Sequence, residues 1–513
     1  MEVGENNDCR DIVISIKSKL KQLHVVNTEC NIYRVPKLLC QMNMTAYVPQ
    51  VISIGPLHHG SKDLNATECY KLQGLRNFLR RFDDSYGEKL LENLVEITQF
   101  YVGRARSCYA DPIDMDDHEF VKMMLVDGCF IVELFILVHN ITTSDDHKFS
   151  KIDQNVDLLF YYQGIIPDVY FDLIKLENQL PFFILQLLFD LIPRDNNQSK
   201  SLILNRKSPI LDKNSLFIPF LELTFENLRL GWVKDYVQLG KRSITLHEFY
   251  PKHLLDFLTL YYENSSSNDD ECHNETSEKK KVHAENRDNQ KTLSIFKQTY
   301  LKVKNNLCSC FRRNKKHGEN DHEKKMYIPP SITELSEAGV TFKKPKKLPI
   351  ITNITFKNGV LEIPPIVIDH YFETITRNLI AYEHMDKIYK EMKVISYILF
   401  MDYLISTEKD VSLLEKAGII VNDIGGSHKE VSKLFNNLSK FVNRSDNNSE
   451  YFKKFQGISK ALCEHRDRRW NKLKASLKHN YFNTPWASIS VFAATLVIVL
   501  TLLQTIFAVI STF

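Results

Sequence analysis

The last 27 residues of the chain, 487–513, carry no charged side chain. A helix needs about 20 mostly apolar residues to cross a hydrocarbon core roughly 30 Å thick. The pattern therefore predicts a transmembrane helix over residues 486–510, with Trp486 at the membrane interface. A buried core helix is the alternative, but such helices seldom stay uncharged for this length.

Basic residues precede this segment and set its predicted orientation. Because cationic flanks stay in the cytoplasm, we expect a single-pass, tail-anchored protein with a cytoplasmic body, in the plasma membrane or endoplasmic reticulum. Lipid around the C-terminal helix is then a predicted partner. Sequons such as those at Asn43 and Asn65 favour the opposite orientation, with a glycosylated body. The basic residues are Arg466, Arg468, Arg469, Lys472, Lys474 and Lys478.

Composition narrows the function classes. The chain has 66 basic and 63 acidic residues, a net charge of +3, which gives no reason to expect a nucleic-acid partner. Its 31 Phe and 22 Tyr can fill a sizeable core. The 10 Cys form no C-x-x-C pair, so we expect reduced thiols rather than zinc sites or a disulfide framework.

The chain divides by composition into five segments. One of them, rich in Asn, Glu and Lys and almost free of large apolar side chains, is predicted to be a charged disordered insertion. The segments are an N-terminal extension (1–28), the first half of a helical core (29–262), the insertion (263–326), the second half of the core (327–480) and the transmembrane helix (486–510).

Periodicity predicts a mainly α fold: a large irregular helical body with a small β-hairpin element and one C-terminal transmembrane helix. Apolar residues at helical spacing predict a central helix over 116–139. A second buried helix is expected from about Pro167 through residues 176–192, with Pro181 either kinking it or starting a new helix. Asn358-Gly359, between alternating β-formers, predicts a hairpin near 351–363.

No complete catalytic motif is present, so we predict no enzyme activity, no catalytic or metal-ligating residues, no cofactor and no small-molecule ligand. The segment 55–62 resembles a phosphate loop, but its Ser61-Lys62 order is reversed and Pro56 removes a backbone donor. Four polar residues fall within apolar helical patterns, and buried polar groups must be hydrogen-bonded. They are either a structural network or a functional pocket: Asp127, Glu177, Asn178 and Gln179.

The pair Cys308 and Cys310 stands beside Phe311-Arg312-Arg313 in the insertion. Thiols next to basic residues are candidates for S-palmitoylation, because the cations are attracted to an anionic leaflet. A plain charged loop is the alternative interpretation.

Nine segments follow one another along the chain in an order that is typical of one family: 32–36, 46–49, 54–60, 119–121, 127–130, 176–183, 407–420, 432–438 and 481–487. Together they resemble the plant family of domain of unknown function 247, also called uncharacterised protein family 0481. The resemblance implies a plant protein with a terminal membrane span and transfers no catalytic residue. Some grass members are linked to self-incompatibility recognition, so it implies a protein-recognition or signalling role with an unknown protein partner. The alternative is an enzyme of unfamiliar type with a pocket near Asp127 and residues 177–179.

Overall fold

A computed structural model describes most of the folded core. Residues Met1–Asn264 and Tyr327–Phe513 form one compact unit, and Ser265–Met326 form a second, of which only Met326 is described. The predicted insertion 263–326, with Cys308 and Cys310, otherwise lies outside the described residues. The structure describes residues 11–18, 30–82, 87–143, 165–192, 220, 223–224, 250–259, 326–346, 351–386, 392–440, 449–468 and 485–512.

The described part of the first half includes nine α-helices with given bounds, helical residues at 220 and 223–224, and short 3₁₀ turns at Met44–Ala46, Lys62–Thr67 and 258–259. The helices are α1 (11–18), α2 (Lys37–Cys40), α3 (Glu68–Arg80), α4 (Gly87–Phe100), α5 (Val102–Ser107), α6 (Asp117–Thr143), α7 (Ile166–Leu173), α8 (Phe182–Leu191) and α9 (Leu254–Phe257).

The described part of the second half adds seven helices and five strands. The helices are α10 (Ile332–Glu337), α11 (Phe372–Met385), α12 (Lys393–Leu404), α13 (Glu408–Lys416), α14 (His428–Leu438), α15 (Glu450–Arg466) and α16 (Pro485–Thr512). The strands are β1 (Thr341–Lys343), β2 (Thr355–Lys357), β3 (Val360–Glu362), β4 (Ile366–Ile368) and β5 (Ile420–Asn422).

Helix α6 is the centre of the first half, which confirms the central helix predicted from the sequence. It packs against α3, α4, α5 and α8. Phe120, Ile131 and Phe135 are fully buried. A helix that is apolar on nearly every face belongs in a core, where each buried large side chain contributes about 1.5–3 kcal/mol.

The prediction of one helix from about Pro167 through residues 176–192 is wrong. Helix α7 ends at Leu173, residues 174–181 form a buried loop, and Pro181 is the N-cap of α8. Pro181 therefore starts a new helix, which was the second of the two predicted outcomes. A loop can replace a helix here because side chains from other segments satisfy its backbone groups.

The predicted hairpin is present. Strands β2 and β3 pair antiparallel, and Asn358 (φ 51°) and Gly359 (φ 78°) supply the two left-handed positions of a type I′ turn. Strand β1 pairs parallel with β3 and extends the hairpin to three strands, while β4 and β5 form a separate parallel pair. The sequence pattern had not predicted β1, β4 or β5.

The C-terminal prediction requires a correction. Among the helices of the described chain, none combines the length and the apolarity required to cross a membrane. This finding overturns the predicted transmembrane helix over 486–510.

Candidate functional site

The buried loop 174–181 and the end of α7 carry a polar network that ties distant segments together. Asp172 accepts hydrogen bonds from the backbone N–H groups of Gln50, Val51 and Ile52, at donor–acceptor distances of 2.6–3.0 Å. The ammonium of Lys175 lies 3.0 Å from the same carboxylate and donates to the carbonyl of Val48 at 2.6 Å. Three amides and a cation therefore compensate a carboxylate that is almost fully buried.

The side-chain amide of Asn178 also attaches the loop 174–181 to the segment 52–54. Its Oδ1 accepts the N–H of Ile54 at 2.6 Å, and its Nδ2 donates to the carbonyls of Ile52 and Asp172 at 3.0 and 2.9 Å. Residues 52–54 belong to no regular strand, so this amide supplies the hydrogen bonds that a neighbouring strand would otherwise provide. Asn178 is a structural bridge between the loop and this extended segment.

Gln179 supports the loop from inside and reaches α9. Its Nε2 donates to the carbonyls of Leu173 and Lys175 at 2.6 and 2.8 Å. Its Oε1 accepts the N–H of Leu255 at 3.2 Å, and its backbone carbonyl accepts from the Tyr109 hydroxyl at 2.9 Å. Both N–H groups of this side-chain amide, and its oxygen, thus have hydrogen-bond partners within the core.

Asp127, on α6, is the third contact with the extended segment. One carboxylate oxygen accepts the N–H of Gly55 at 2.9 Å, and the other lies 3.0 Å from the ammonium of Lys71. Lys71 also contacts Glu68 at 2.7 Å and Ser53 at 3.3 Å. Burial raises the pKa of Asp127, while Lys71 and the Gly55 amide oppose that rise.

Glu177 is the one predicted polar residue near the surface. Its Oε1 accepts the N–H of Val35 at 2.7 Å, and its Oε2 lies 3.1 Å from Nε2 of His58 and 3.9 Å from Arg34. The His58 nitrogen is close but not aligned as a hydrogen bond. Burial, and secondarily Glu177, raise the pKa of the nearby Cys40 thiol, so this cysteine is not activated as a nucleophile.

One further residue, Asn378 on α11, completes the network. Its side chain accepts the N–H of Leu176 at 2.9 Å and donates to the carbonyl of Ala46 at 2.8 Å. It therefore joins the two halves of the chain within one compact unit. We call the whole network the polar clasp: Lys71, Asp127, Asp172, Lys175, Glu177, Asn178, Gln179 and Asn378.

Sequence reasoning found Asp127 and residues 177–179 but missed Lys71, Asp172, Lys175 and Asn378. A signal was available for two of them. Asp172 and Lys175 are charged residues three apart in an otherwise apolar run, which predicts a buried pair. Lys71 and Asn378 lie on amphipathic helices, where the sequence does not show which polar residue turns inward.

The remaining predicted site residues are dispersed. Arg466 lies at the end of α15, within 3.9 Å of Glu334 and 3.2 Å of Asp467. Arg468 follows the helix, and Trp486 is in α16, although its side chain is outside the described part. Arg469, Lys472, Lys474 and Lys478 lie outside the described residues.

Metal chemistry has no candidate in the described chain. Within those ranges, no group of three or more His, Cys, Asp or Glu side chains is placed to hold an ion. The fully buried His253 has its pKa lowered to about 3 by desolvation, and its Nε2 lies 3.0 Å from the carbonyl oxygen of Asn31. It is a neutral core residue.

All residues of the clasp lie between positions 32 and 500. A model of domain of unknown function 247, described as a plant protein of unknown function, matches residues 32–500. The chain belongs to this family. In this chain, segments 32–36, 46–49, 54–60, 127–130 and 176–183 meet at the clasp, although they are scattered in sequence.

Two relatives from Arabidopsis thaliana are similar over nearly their whole length. One, a UPF0481 protein, is 26% identical over 486 residues, covering 94% of this chain and 87% of the relative. The other, a putative UPF0481 protein, is 23% identical over 529 residues, covering 97% and 94%. No solved structure matches the chain.

Proposed function

We propose that this member of the domain 247 family is a non-catalytic protein-recognition or signalling component, whose folded body presents a rigid surface to a protein partner. Neither a nucleic acid nor a small-molecule ligand is part of the proposal. The supporting observation is that the polar side chains best placed for chemistry are used to hold the backbone. Asp127, Asn178 and Gln179 are each about 1% exposed, and their polar atoms bind other parts of the chain.

A catalytic group needs a polar atom free to meet substrate, within about 3 Å of the reacting atom. Asp127 has one oxygen on the Gly55 amide and the other on Lys71, so a substrate would have to break a buried ion pair. The pattern is typical of a network that fixes how segments dock.

The alternative, an enzyme of unfamiliar type, has one observation in its favour. Glu177 and His58 are side chains with exposures of 12% and 15%, and their nearest atoms are 3.1 Å apart. A carboxylate held by a backbone amide beside a histidine is an arrangement that general acid–base catalysis can use. This pair is the place where an enzyme function would reside.

The cysteines support a reducing compartment for the folded body. Cys30, Cys108 and Cys129 are buried, Cys40 and Cys463 are half-buried and Cys69 is exposed, and none of these six forms a disulfide within the described chain. Proteins folded in oxidising compartments commonly use cysteines in disulfides. The proposal therefore places the body in the cytoplasm.

The test compares three forms of the full tagged chain by quantitative affinity purification from plant tissue: the unmodified chain, the double variant H58Q/E177Q and N178A. A recognition scaffold should enrich the same partner equally with the first two forms and less of it with N178A, which destabilises the fold. The enriched partner is then purified and titrated against both folded forms, whose Kd values should agree within about threefold.

Two outcomes would overturn the proposal. One is that no protein is enriched in a fold-dependent way. The other is that H58Q/E177Q keeps the fold and every partner, yet changes the level of a metabolite in the plant as a deletion of the protein does. The second result would favour the enzyme.

A further inference from the structure

Helix α1 is a short helix whose side chains are little covered by the rest of the described chain. Its eight residues, 11–18, are all exposed, and Ile12, Val13 and Ile16 lie on one side within an arc of about 100°. Isolated helices shorter than about 12–15 residues are marginal in water, and most helical stability comes from packing an apolar face. The apolar side of α1 is therefore suited to a partner surface.

Helix α4 presents a matching surface. Leu91 and Val95 are one turn apart and are 38% and 37% exposed. Glu92 and Glu96 form a parallel exposed row, also one turn apart, and neither has an ion-pair partner among the described residues. Like charges at this spacing are mildly destabilising, so a cation beside them would be stabilising.

The geometry points to an intramolecular contact: we propose that α1 docks in cis on this face of α4. Ile12, Val13 and Ile16 cover Leu91 and Val95. Lys17, which borders the apolar arc of α1, then reaches the row formed by Glu92 and Glu96. The contact goes beyond the proposed function and does not depend on it.

Charge complementarity favours this occupant. The segment around α1 is basic, with Arg10, Lys17, Lys19 and Lys21 against Asp11 alone over residues 10–23. The solvent side of α4 carries the exposed Glu92 and Glu96, with the exposed Lys89 one turn before them. Opposite charges beside an apolar stripe fix register and orientation as well as adding affinity.

The tether is long enough. The backbone N–H of Asn31 donates to the carbonyl of Cys108 at 2.9 Å, and Ile32 forms a bridge with Tyr109, so the chain entering the body is fixed beside the end of α5. The eight residue steps from Phe100 to Cys108 span at most about 26 Å, and Val95 is about 7.5 Å further along α4. Residues 19–29 can reach about 36 Å when extended.

The decisive measurement is amide hydrogen exchange of residues 11–18 in the full chain, followed by mass spectrometry. Docking should slow exchange at least about tenfold relative to a free peptide of residues 1–28. The charge reversal E92K/E96K should restore the peptide rate. Adding K17E/K19E/K21E to that variant should recover protection, because the pair of charges is exchanged. The variant E450K/E464K, on α15, is the matched control and should leave protection unchanged.

Any one of three results would overturn the proposal. Exchange of residues 11–18 at the peptide rate in the unmodified chain excludes docking. Protection that survives E92K/E96K excludes this face of α4. Protection that grows with protein concentration shows a contact between two copies. Unchanged exchange in α6 across the series shows that the variants keep the fold.

Discussion

The side chain of Asn378 accepts a hydrogen bond from the backbone N–H of Leu176 at 2.9 Å, across 202 positions of the sequence. The same side chain donates to the carbonyl of Ala46, 332 positions away. A single amide on α11 thus holds two segments of the first half. Most residues of the polar clasp have the same role: their side chains, in place of a neighbouring helix or strand, are the hydrogen-bond partners of buried backbone groups.

Substitution of Gly55, which packs against the clasp, should destabilise the fold more than substitution of Gly60. The φ of Gly55 is +74°, and a Cβ built there would clash with the backbone carbonyl oxygen of Gln179. Gly60 has the same φ of +74°, with nothing within 4 Å of a Cβ. We expect G60A to cost about 1 kcal/mol from backbone strain alone, and G55A at least about 2 kcal/mol more. Urea unfolding of both variants measures the difference, and equal losses would contradict the close packing of Gly55 on the loop.

Asn178 should contribute more to stability than an exposed asparagine. The variant N178A leaves the N–H of Ile54 and the carbonyl of Ile52 without their partner in the core. We expect a loss of about 2–4 kcal/mol in the free energy of unfolding. The exposed N65A is the control, with a change within about 0.5 kcal/mol. Comparable small effects for both would mean that water replaces the Asn178 amide.

The buried ion pair of Lys71 and Asp127 should show strong coupling. K71M leaves the buried carboxylate of Asp127 without a cation, so it should cost about 3–5 kcal/mol. D127N should cost less, because Glu68 still lies 2.7 Å from the ammonium of Lys71. The double variant should lose at least about 2 kcal/mol less than the sum. The exposed pair of Lys122 and Glu119, 3.5 Å apart, is the control and should couple by less than about 0.5 kcal/mol. Additive losses at the buried pair would refute the coupling.

Glu383 should make stability depend on pH. Burial raises its pKa to about 7, although the N–H groups of Val394 and Ile395 donate to its carboxylate at 2.9 Å. The folded chain therefore binds this proton more tightly than the unfolded chain does. Its contribution is fully present below about pH 4.5 and is lost as pH rises to about 7.

The measurement is the difference in unfolding free energy between the unmodified chain and E383Q at a series of pH values. The difference should fall by up to about 3 kcal/mol between pH 4.5 and 7, because one pKa unit corresponds to about 1.4 kcal/mol. The exposed E464Q should show no such slope. A difference that is constant with pH would show that Glu383 keeps an ordinary pKa in the folded chain.

Local patterns were a good guide wherever local physics decides the structure. The apolar spacing of α6 and the Asn358-Gly359 turn predicted those elements correctly. The same reasoning extended α7 through Glu177, because the sequence between Leu173 and Pro181 reads as an apolar helix. The structure has a loop there, since Asn178, Gln179 and Asn378 provide hydrogen bonds that no neighbour in sequence could supply.

The candidate site was predictable only in part. Asp127 and the Glu177–Gln179 trio drew attention because polar groups inside apolar runs require partners. Their partners are the backbone of residues 35 and 52–55, the carbonyls of the loop itself and α9, and none of these has a signature in composition or spacing. The apolar C-terminal run predicted a membrane span that the described structure does not support.

By itself, the sequence determined that the chain is mainly helical, where its central helix and hairpin lie, and to which family it belongs. Those properties depend on periodicity, turn chemistry and ordered motifs, which are local or additive along the chain. The tertiary structure decided that scattered motifs meet in one buried polar clasp. Hydrogen-bond partners more than 100 residues apart are chosen by the packing of the whole core, because only there are both groups removed from water together.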